Sequence, residues 1–140
     1  EGLMRRNEPV SKIMTKSPET VHHGMPLSEV RAKLTEMHVH HMPVVSGTKL
    51  IGIISSTDLL RVSYEHGENT KHANAVLDHT RTIEDVMQTN PVSIQSKTTV
   101  REAAQLLSKN WFHALPVVDS GELVGIVTTT DLIDYLLEQY

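Results

Sequence analysis

The sequence predicts an α/β protein made of two copies of one β-α-β-β-α unit. A stretch of the chain recurs at a constant offset of 73 residues, and Val10–Tyr64 aligns with Ile83–Leu137 without a gap. Within each copy, strand-like and helix-like patterns alternate, which is typical of a sheet covered by helices. Each copy is close to the lower size limit for an independent core. We therefore expect the copies to pack together about a pseudo-twofold axis, with any site between them.

The first strand and first helix of each copy follow from local patterns. Thr20–His22 and Val92–Ile94 are short β-rich segments. The helix is predicted from apolar residues that recur every three or four positions. These residues are Leu27, Val30, Leu34 and Met37 in the first copy and Val100, Ala103 and Leu107 in the second. Thr99 with Glu102 has the spacing of a capping box at the start of the second of these helices.

A hairpin and a second helix complete each copy. The hairpin strands are two runs rich in β-branched residues, joined by a turn that contains glycine. The runs are Met42–Ser46 and Leu50–Ser55 in the first copy, and Leu115–Asp119 and Leu123–Thr128 in the second. The second helix is predicted to open at Thr57 and at Thr130. Thr82 with Asp85 has capping-box spacing and predicts a short helix that enters the second copy.

These patterns predict the domain organisation. Residues 1–66 form the first repeat with an N-terminal segment, 67–80 a polar linker, and 81–140 the second repeat. The two repeats are expected to form one module.

Composition excludes several classes of protein. The 140 residues carry a formal net charge of −4 and only 4% aromatic residues, which argues against a nucleic-acid-binding surface. The chain has no cysteine, so disulfides and thiolate metal sites are excluded. It has no apolar run long enough to span a bilayer. We expect a cytoplasmic protein with no membrane or nucleic-acid partner.

The duplicated motifs carry a family resemblance. Ile13-Met14-Thr15 and Val86-Met87 precede each copy, and Pro-Val-Val recurs at Pro43 and Pro116. Gly-Ile-Ile-Ser-Ser-Thr-Asp ends at Asp58, and Gly-Ile-Val-Thr-Thr-Thr-Asp ends at Asp131. With these motifs in register, the chain resembles a pair of CBS domains, the arrangement called a Bateman module. The resemblance implies two clefts that bind adenosine-containing ligands, and regulation rather than catalysis.

The strand-to-helix junctions are the predicted ligand sites. Ionised Asp58 and Asp131 accept hydrogen bonds only, which suits the paired hydroxyls of a ribose. Ser55 and Thr128 lie three residues earlier, at helix N-termini that favour phosphate. The same spacing also describes plain capping boxes, worth about 1 kcal/mol per helix. The resemblance favours ribose binding by the aspartates and phosphate binding by the hydroxyl residues, and capping and binding can coexist.

Histidines occupy matching positions before each Pro-Val-Val strand. In the family, a residue at the position of His40 and His113 reaches a ligand phosphate, so we expect both to face phosphate; the alternative is an ordinary histidine at a strand edge. His38 and His40 would share one face of a strand, but two imidazoles without a carboxylate make a poor metal site. We expect no bound metal.

The apolar wall of each cleft is predicted from the segments after the short entry helices. By resemblance, the adenine pocket would be formed by Thr15, Pro18, Thr20 and Val21 in the first copy and by Thr89, Pro91, Ser93 and Ile94 in the second. For Val21 and Ile94, packing of the first strand in the core is an alternative at least as strong as the adenine role. Gly52 and Gly125 lie inside predicted strands and indicate close approach, either of a ligand or of another element.

The sequence contains no catalytic motif, so we expect no enzyme activity and no required cofactor. The predicted function is regulatory binding of AMP, ADP or ATP, and S-adenosylmethionine is a further adenosine ligand consistent with the same residues. The alternative is an interaction scaffold with degenerate sites. Apolar residues on the predicted helices, such as Leu27, Met37, Leu136 and Leu137, predict a homodimer. The regulated partner is not indicated by the sequence.

Overall fold

The polypeptide divides into two units whose boundaries cut across the sequence repeats. The computed structural model describes residues 8–64, 78–79 and 81–140. Unit A consists of Glu1–Pro18 with Val92–Tyr140, and unit B of Glu19–Pro91. The segment that opens each repeat therefore belongs to the unit built around the rest of the other repeat. The repeat boundaries at residues 66 and 81 and the pseudo-twofold packing stay predictions about the chain.

The elements alternate as an α/β fold requires, which confirms the predicted class. In chain order they are a 3-10 helix at Val10–Lys12, strands β1 (Thr15–Lys16) and β2 (Val21–His22), helix α1 (Leu27–Glu36), strands β3 (His41–Ser46) and β4 (Lys49–Ser55), helices α2 (Ser56–Tyr64) and α3 (Ile83–Val86), strand β5 (Gln88–Thr89), helix α4 (Val100–Lys109), strands β6 (Ala114–Asp119) and β7 (Glu122–Thr128), and helix α5 (Thr129–Glu138).

The strands pair in the same way in both units. In unit B, β2 runs parallel to β3, and β4 lies antiparallel to both β3 and β5. In unit A, β7 lies antiparallel to both β6 and β1. Both hairpins have a register irregularity at the same repeat position, after Val44 and after Val117. The predicted strand Val92–Ile94 is reduced to one parallel bridge between Ile94 and Val117.

Local hydrogen bonds set where the helices begin. Thr99 accepts the N–H of Glu102 at 3.1 Å, as the sequence predicts for α4. The N–H of Thr82 donates to Asp85 at 2.9 Å and completes the predicted capping box of α3. Helix α1 has no cap of its own, and its Ser28 N–H donates instead to Asp78 at 2.9 Å. Apart from residues 78 and 79, the predicted linker 67–80 lies outside the described residues.

Aliphatic side chains fill a separate core in each unit, as the low aromatic content requires. The apolar faces of the helices point inward, and each fully buried aliphatic side chain contributes about 1.5–3 kcal/mol. The core of unit B includes Leu27, Val30, Leu34, Met42, Val44, Ile54 and Leu59. The core of unit A includes Val10, Val100, Ala103, Leu107, Leu115, Val117 and Val127. Leu27 is fully buried, so it is wrong as an exposed dimer residue, whereas Met37 is exposed.

Two glycines permit the close approach of β1 and β5, the two-residue strands near the start of each repeat. A Cβ on Gly125 would lie 2.6 Å from the Met14 sulfur and 3.0 Å from the Thr15 carbonyl oxygen. A Cβ on Gly52 would lie 2.5 Å from the Met87 sulfur and 2.9 Å from the Gln88 carbonyl oxygen. Because backbone as well as side chain fills this space, both glycines serve contact between elements, which is one of the two interpretations that the sequence leaves open.

We predict that Gly125→Ala and Gly52→Ala each destabilise the protein. The added methyl group must displace backbone as well as a methionine, and overpacking of this kind costs about 1–3 kcal/mol. Urea denaturation followed by circular dichroism measures the loss. Gly24→Ala is the matched control, because its Cβ would meet nothing closer than His22 Nδ1 at 3.6 Å. Equal stability of all three variants would contradict this account of the two glycines.

Asp119 forms a hydrogen bond in unit A whose contribution to stability depends on pH. Its carboxylate accepts the Ser96 N–H at 3.0 Å and joins β6 to the turn before α4. Hydrogen bonds from the hydroxyl and N–H of Ser96 lower the pKa of Asp119 below its usual value of 3.8. A lowered pKa means that the ionised form favours the folded state, so this stabilisation is present at neutral pH and is lost as pH falls through the folded-state pKa.

We predict that Asp119→Asn lowers the thermal midpoint at pH 7 and makes the loss of stability below about pH 4 shallower than in the parent. The difference in thermal midpoint between the parent and the variant should therefore become smaller as pH falls. Differential scanning calorimetry between pH 7 and pH 3 checks both effects. A gap that is constant across this range would show that ionised Asp119 does not stabilise the fold.

Candidate functional site

Two strand-to-helix junctions carry the predicted site residues. Strand β4 leads into α2 at Ser55 in unit B, and β7 leads into α5 at Thr128 in unit A. At each junction the residue that ends the strand caps the helix, because a hydroxyl followed three residues later by a carboxylate can satisfy free N–H groups in both directions. We call these junctions, with their aspartates, the Asp58 site and the Asp131 site.

At the Asp58 site, the carboxylate is held by three donors. Oδ2 accepts the Ser55 N–H at 3.0 Å and the Ser55 hydroxyl at 2.8 Å, and the Asp58 N–H returns a bond to Ser55 Oγ at 3.1 Å. Oδ1 accepts Arg61 Nη2 at 3.0 Å. The Asp58 side chain is only 7% exposed, whereas that of Arg61 is 67% exposed. The arginine therefore reaches in from solvent to a nearly buried carboxylate.

At the Asp131 site, the capping geometry is the same but the arginine is replaced. Oδ2 of Asp131 accepts the Thr128 N–H at 2.8 Å and the Thr128 hydroxyl at 3.2 Å. Asp134 stands where Arg61 stands in the other repeat. Among the residues that the structure describes, no donor is found for Asp131 Oδ1. The carboxylate is partly exposed, so one of its oxygens is open to a ligand.

The two predicted histidines lie at these same junctions. The carbonyl oxygen of His40 accepts the Ser56 N–H, and that of His113 accepts the Thr129 N–H, each at 3.0 Å. Both histidines are exposed, and it is their backbone carbonyls that lie at the first turn of α2 and of α5. His38 does not share a strand face with His40, because β3 begins only at His41 and His38 adopts a positive φ of 55°.

The predicted adenine residues after the entry helices change units. Thr15 pairs with Ile126 of β7 and lies in the unit of Asp131. Thr89 pairs with Gly52 of β4 and lies in the unit of Asp58. Both threonines are exposed. The entry segment of each repeat thus lies in the same unit as the aspartate of the other repeat.

The backbone turns sharply before each of the two prolines in these segments. Ser17 and Asn90, which precede Pro18 and Pro91, have φ angles of 45° and 50°. Left-handed backbone is unusual for residues with a side chain and is disfavoured further before proline. Such strain persists only where the surrounding structure holds it, and it is found most often at functional sites. It recurs here at one repeat position in both units.

The remaining predicted adenine residues divide between core and surface. Val21 and Ile94 pack in the two cores and are 1% and 7% exposed, and a contribution of either residue to an adenine pocket stays a prediction. Ser93 is exposed, and Thr20 is partly buried with its carbonyl accepting Lys33 Nζ at 2.6 Å. A cavity of about 470 Å³ beside α4 is lined by Ser93, Ile94, Gln95, Thr98, Glu102, Gln105, Leu106, Lys109 and Asn110. It includes neither Thr128 nor Asp131.

Comparison with known proteins identifies the family. A model of the CBS domain matches residues 10–65 and 83–138, which is well over half of the chain. The chain belongs to the CBS-domain family. A CBS domain-containing protein of Dictyostelium discoideum is 32% identical over 133 residues, which cover 92% of this chain and 91% of the relative.

Solved CBS pairs share the fold. CBSX2 in complex with AMP superposes with a TM-score of 0.79 at 26% identity, covering 94% of this chain and 97% of that one. The CBS domain pair of protein MJ0100, in complex with 5′-methylthioadenosine and S-adenosyl-L-methionine, gives a TM-score of 0.76 at 30% identity and covers 92% and 98%. The predicted α/β fold with two CBS repeats is therefore confirmed.

Some CBS relatives are much longer proteins. The L-aspartate semialdehyde sulfurtransferase of Methanocaldococcus jannaschii is 31% identical over 125 residues, which are 88% of this chain but 22% of that enzyme. The chain thus corresponds to about a fifth of that relative's length.

Three residues that shape the two junctions or the strands leading to them were not predicted in these roles. Arg61 was missed, although an arginine three residues after an aspartate in a helix is a standard signal for an ion pair. Met14 and Met87 were noted as motif residues, but their packing on the strand glycines appears only in the folded chain.

Within the described ranges, no three His, Asp or Glu side chains are grouped so that they could hold a metal ion. No helix in the same part of the chain has both the length and the apolar character needed to cross a bilayer.

Proposed function

We propose that this CBS pair is a regulatory module that reversibly binds an adenosine nucleotide, AMP, ADP or ATP. The observation that carries the proposal is the duplicated junction, at which a carboxylate, a hydroxyl and a histidine meet at a helix N-terminus in both units. In this proposal Asp58 and Asp131 bind the ribose hydroxyls. The AMP complex of CBSX2, at 26% identity, supports the choice of an adenosine ligand.

The hydroxyl residues and histidines are assigned to the phosphate. The proton of the Ser55 hydroxyl points at Asp58, and that of Thr128 points at Asp131. A phosphate at the helix N-terminus can draw this side-chain hydroxyl away from its aspartate, so that the hydroxyl donates to the phosphate instead. His40 and His113 are exposed, and their backbone carbonyls lie at the same helix ends, where the helix dipole favours an anion. In this proposal their imidazoles reach the phosphate.

The adenine would lie against the segments that follow the entry strands. The partly or fully exposed members of the predicted set, Thr15, Pro18, Thr20, Thr89, Pro91 and Ser93, are available for this role. The side chains of Val21 and Ile94 are committed to the cores and would support the pocket from behind. The strained turns before Pro18 and Pro91 favour a functional role for both segments.

Regulation would follow from differential binding. A ligand shifts an equilibrium between two arrangements of a protein only by the difference in its affinity for them. The proposal is therefore a non-catalytic sensor without a required cofactor, in the cytoplasm, whose nucleotide occupancy is read by a partner. S-adenosylmethionine is a second candidate ligand, because the MJ0100 pair, at 30% identity, binds it together with 5′-methylthioadenosine.

A homodimer is part of the same proposal. Helix α5 exposes Ile133, Leu136 and Leu137 at helical spacing, and Leu137 is 66% exposed. Tyr140, two residues after the end of the helix, is also exposed. Such a stripe is typical of a surface that is covered by a partner. A pure interaction scaffold would need this stripe but no nucleotide, which separates the alternative function from the proposed one.

We predict that adenosine and AMP bind the parent protein and that Asp131→Ala weakens adenosine binding at its site about tenfold or more. Charge-assisted hydrogen bonds are worth about 1.5–3 kcal/mol, which corresponds to that factor. For the same reason 2′-deoxyadenosine should bind more weakly than adenosine. Isothermal titration calorimetry measures each affinity, and Asp58→Ala is the matching experiment at the other site.

Thr128→Ala is the matched control, because it removes the same helix cap but leaves the carboxylate. It should bind adenosine within about threefold of the parent yet lose affinity for AMP, since only AMP offers a phosphate. If a nucleotide panel neither raises the melting temperature of the parent nor gives heat of binding, the scaffold alternative replaces the proposed function.

We predict that the protein sediments as a dimer, at twice 15.6 kDa, and that Leu137→Asp shifts it towards monomer. Association would bury the carboxylate introduced at position 137 without an ionic partner, and the cost of burying it opposes dimer formation. Analytical ultracentrifugation at micromolar concentrations measures the mass. Val92→Asp is the control, because Val92 is exposed but lies on no helix. Monomer for the parent at all concentrations, with and without AMP, would exclude the dimer.

A further inference from the structure

The two ligand sites differ at one charged position. Arg61 and Asp134 occupy the same place in the two repeats, three residues after Asp58 and Asp131. On a helix, residues three apart are neighbours, so each can act on the carboxylate before it. At this one repeat position, a cation therefore follows the carboxylate of Asp58 and an anion follows the carboxylate of Asp131.

The difference changes how many acceptor positions each carboxylate keeps for a ligand. An ionised carboxylate offers about four lone-pair positions, two on each oxygen. In both sites the capping box uses two of them on Oδ2. At the Asp58 site Arg61 takes a third position, on Oδ1. The aspartate there keeps about one free position, whereas Asp131 keeps about two within the described structure.

A ribose presents two neighbouring hydroxyl donors. Asp131 can accept both of them on Oδ1 without losing any bond it already makes. Asp58 can accept only one while Arg61 is in place, and the guanidinium also neutralises the charge that strengthens such bonds. Full engagement of a ribose at this site requires the arginine to leave.

Resting on the function proposed above, we propose that Arg61 makes the two sites unequal. It competes with the ribose for Asp58, so that the Asp131 site binds an adenosine ligand first and more tightly. Arg61 is thus an affinity-determining residue that acts through Asp58. The Arg61 side chain is 67% exposed although the Asp58 side chain is only 7% exposed, and screening of the guanidinium by solvent limits the size of its effect.

The experiment isolates each site and then exchanges the charge. Asp131→Ala leaves the Asp58 site alone, and Asp58→Ala leaves the Asp131 site alone. The Asp58 site is measured with Arg61 and with Arg61→Ala, and the Asp131 site with Asp134 and with Asp134→Arg. Adenosine is the probe, because it has no phosphate to which an arginine could bind. Asp131→Asn and Asp58→Asn, which keep the shape of the cap, replace any alanine variant that fails to fold by circular dichroism.

The expected results have opposite signs at the two sites. Arg61→Ala should raise adenosine affinity at the Asp58 site about two- to fivefold, and Asp134→Arg should lower it at the Asp131 site by a similar factor. Arg61→Lys, which keeps the charge, should return the Asp58 site towards its parent affinity. The preference for adenosine over 2′-deoxyadenosine should also increase at the Asp58 site in Arg61→Ala, because the second hydroxyl then gains an acceptor. A purely structural role for Arg61 would not change this preference.

Two kinds of failure are distinguishable. If the parent binds adenosine but its two isolated sites have equal affinities, or if Arg61→Ala leaves adenosine affinity unchanged or lowers it, the competition by Arg61 is overturned while the proposed function stands. If neither the parent nor any variant binds adenosine or AMP, both the function and this inference are overturned.

Discussion

Each junction depends on one interaction. The aspartate carboxylate accepts hydrogen bonds from the residue that ends the strand, three positions earlier in the chain. It satisfies the N–H of the last strand residue, and the hydroxyl of that residue satisfies the N–H of the aspartate. The helix therefore starts at one residue and in one direction. The first N–H of the helix then donates to the histidine carbonyl, which brings the start of β3 or of β6 next to the start of the helix. The same hydrogen bonds that cap the helix therefore also fix the position of the carboxylate that is proposed to bind a ligand.

The entry segments are positioned by a second constraint, the missing side chains of Gly52 and Gly125. The space left by each glycine holds a methionine sulfur and a backbone carbonyl from a two-residue strand. Since so short a strand makes few hydrogen bonds, close packing has to supply much of its stability. This packing brings the segment before one repeat into the unit of the other, and so places Thr15 with Asp131 and Thr89 with Asp58.

Duplication preserves the backbone of the sites more strictly than their charges. The hairpin irregularities, the strained turns before the prolines and the histidine carbonyl bonds recur at matching positions. Arg61 and Asp134 do not match, and neither do Lys33, which reaches the Thr20 carbonyl, and Leu106, which lines an open cavity in unit A. Backbone features recur because the fold needs them in both copies, whereas exposed side chains are free to diverge and can make two similar sites unequal.

The sequence by itself determined the longer helices and the two hairpins, the repeat and the candidate aspartates, because helix periodicity, β-branched runs and capping spacing are local properties. Helix α1 with its buried Leu27, Val30 and Leu34, and the caps at Thr82 and Thr99, could be predicted for that reason. Only the tertiary structure decided which segment packs in which unit, that Val21 and Ile94 belong to the cores, and what fills the space beside the strand glycines. These outcomes depend on contacts between residues far apart in the chain, on which the pattern along the sequence carries no information. The carboxylates illustrate the division: capping spacing placed Asp58 and Asp131 at helix starts, but their different exposure and donors appear only when the chain is folded.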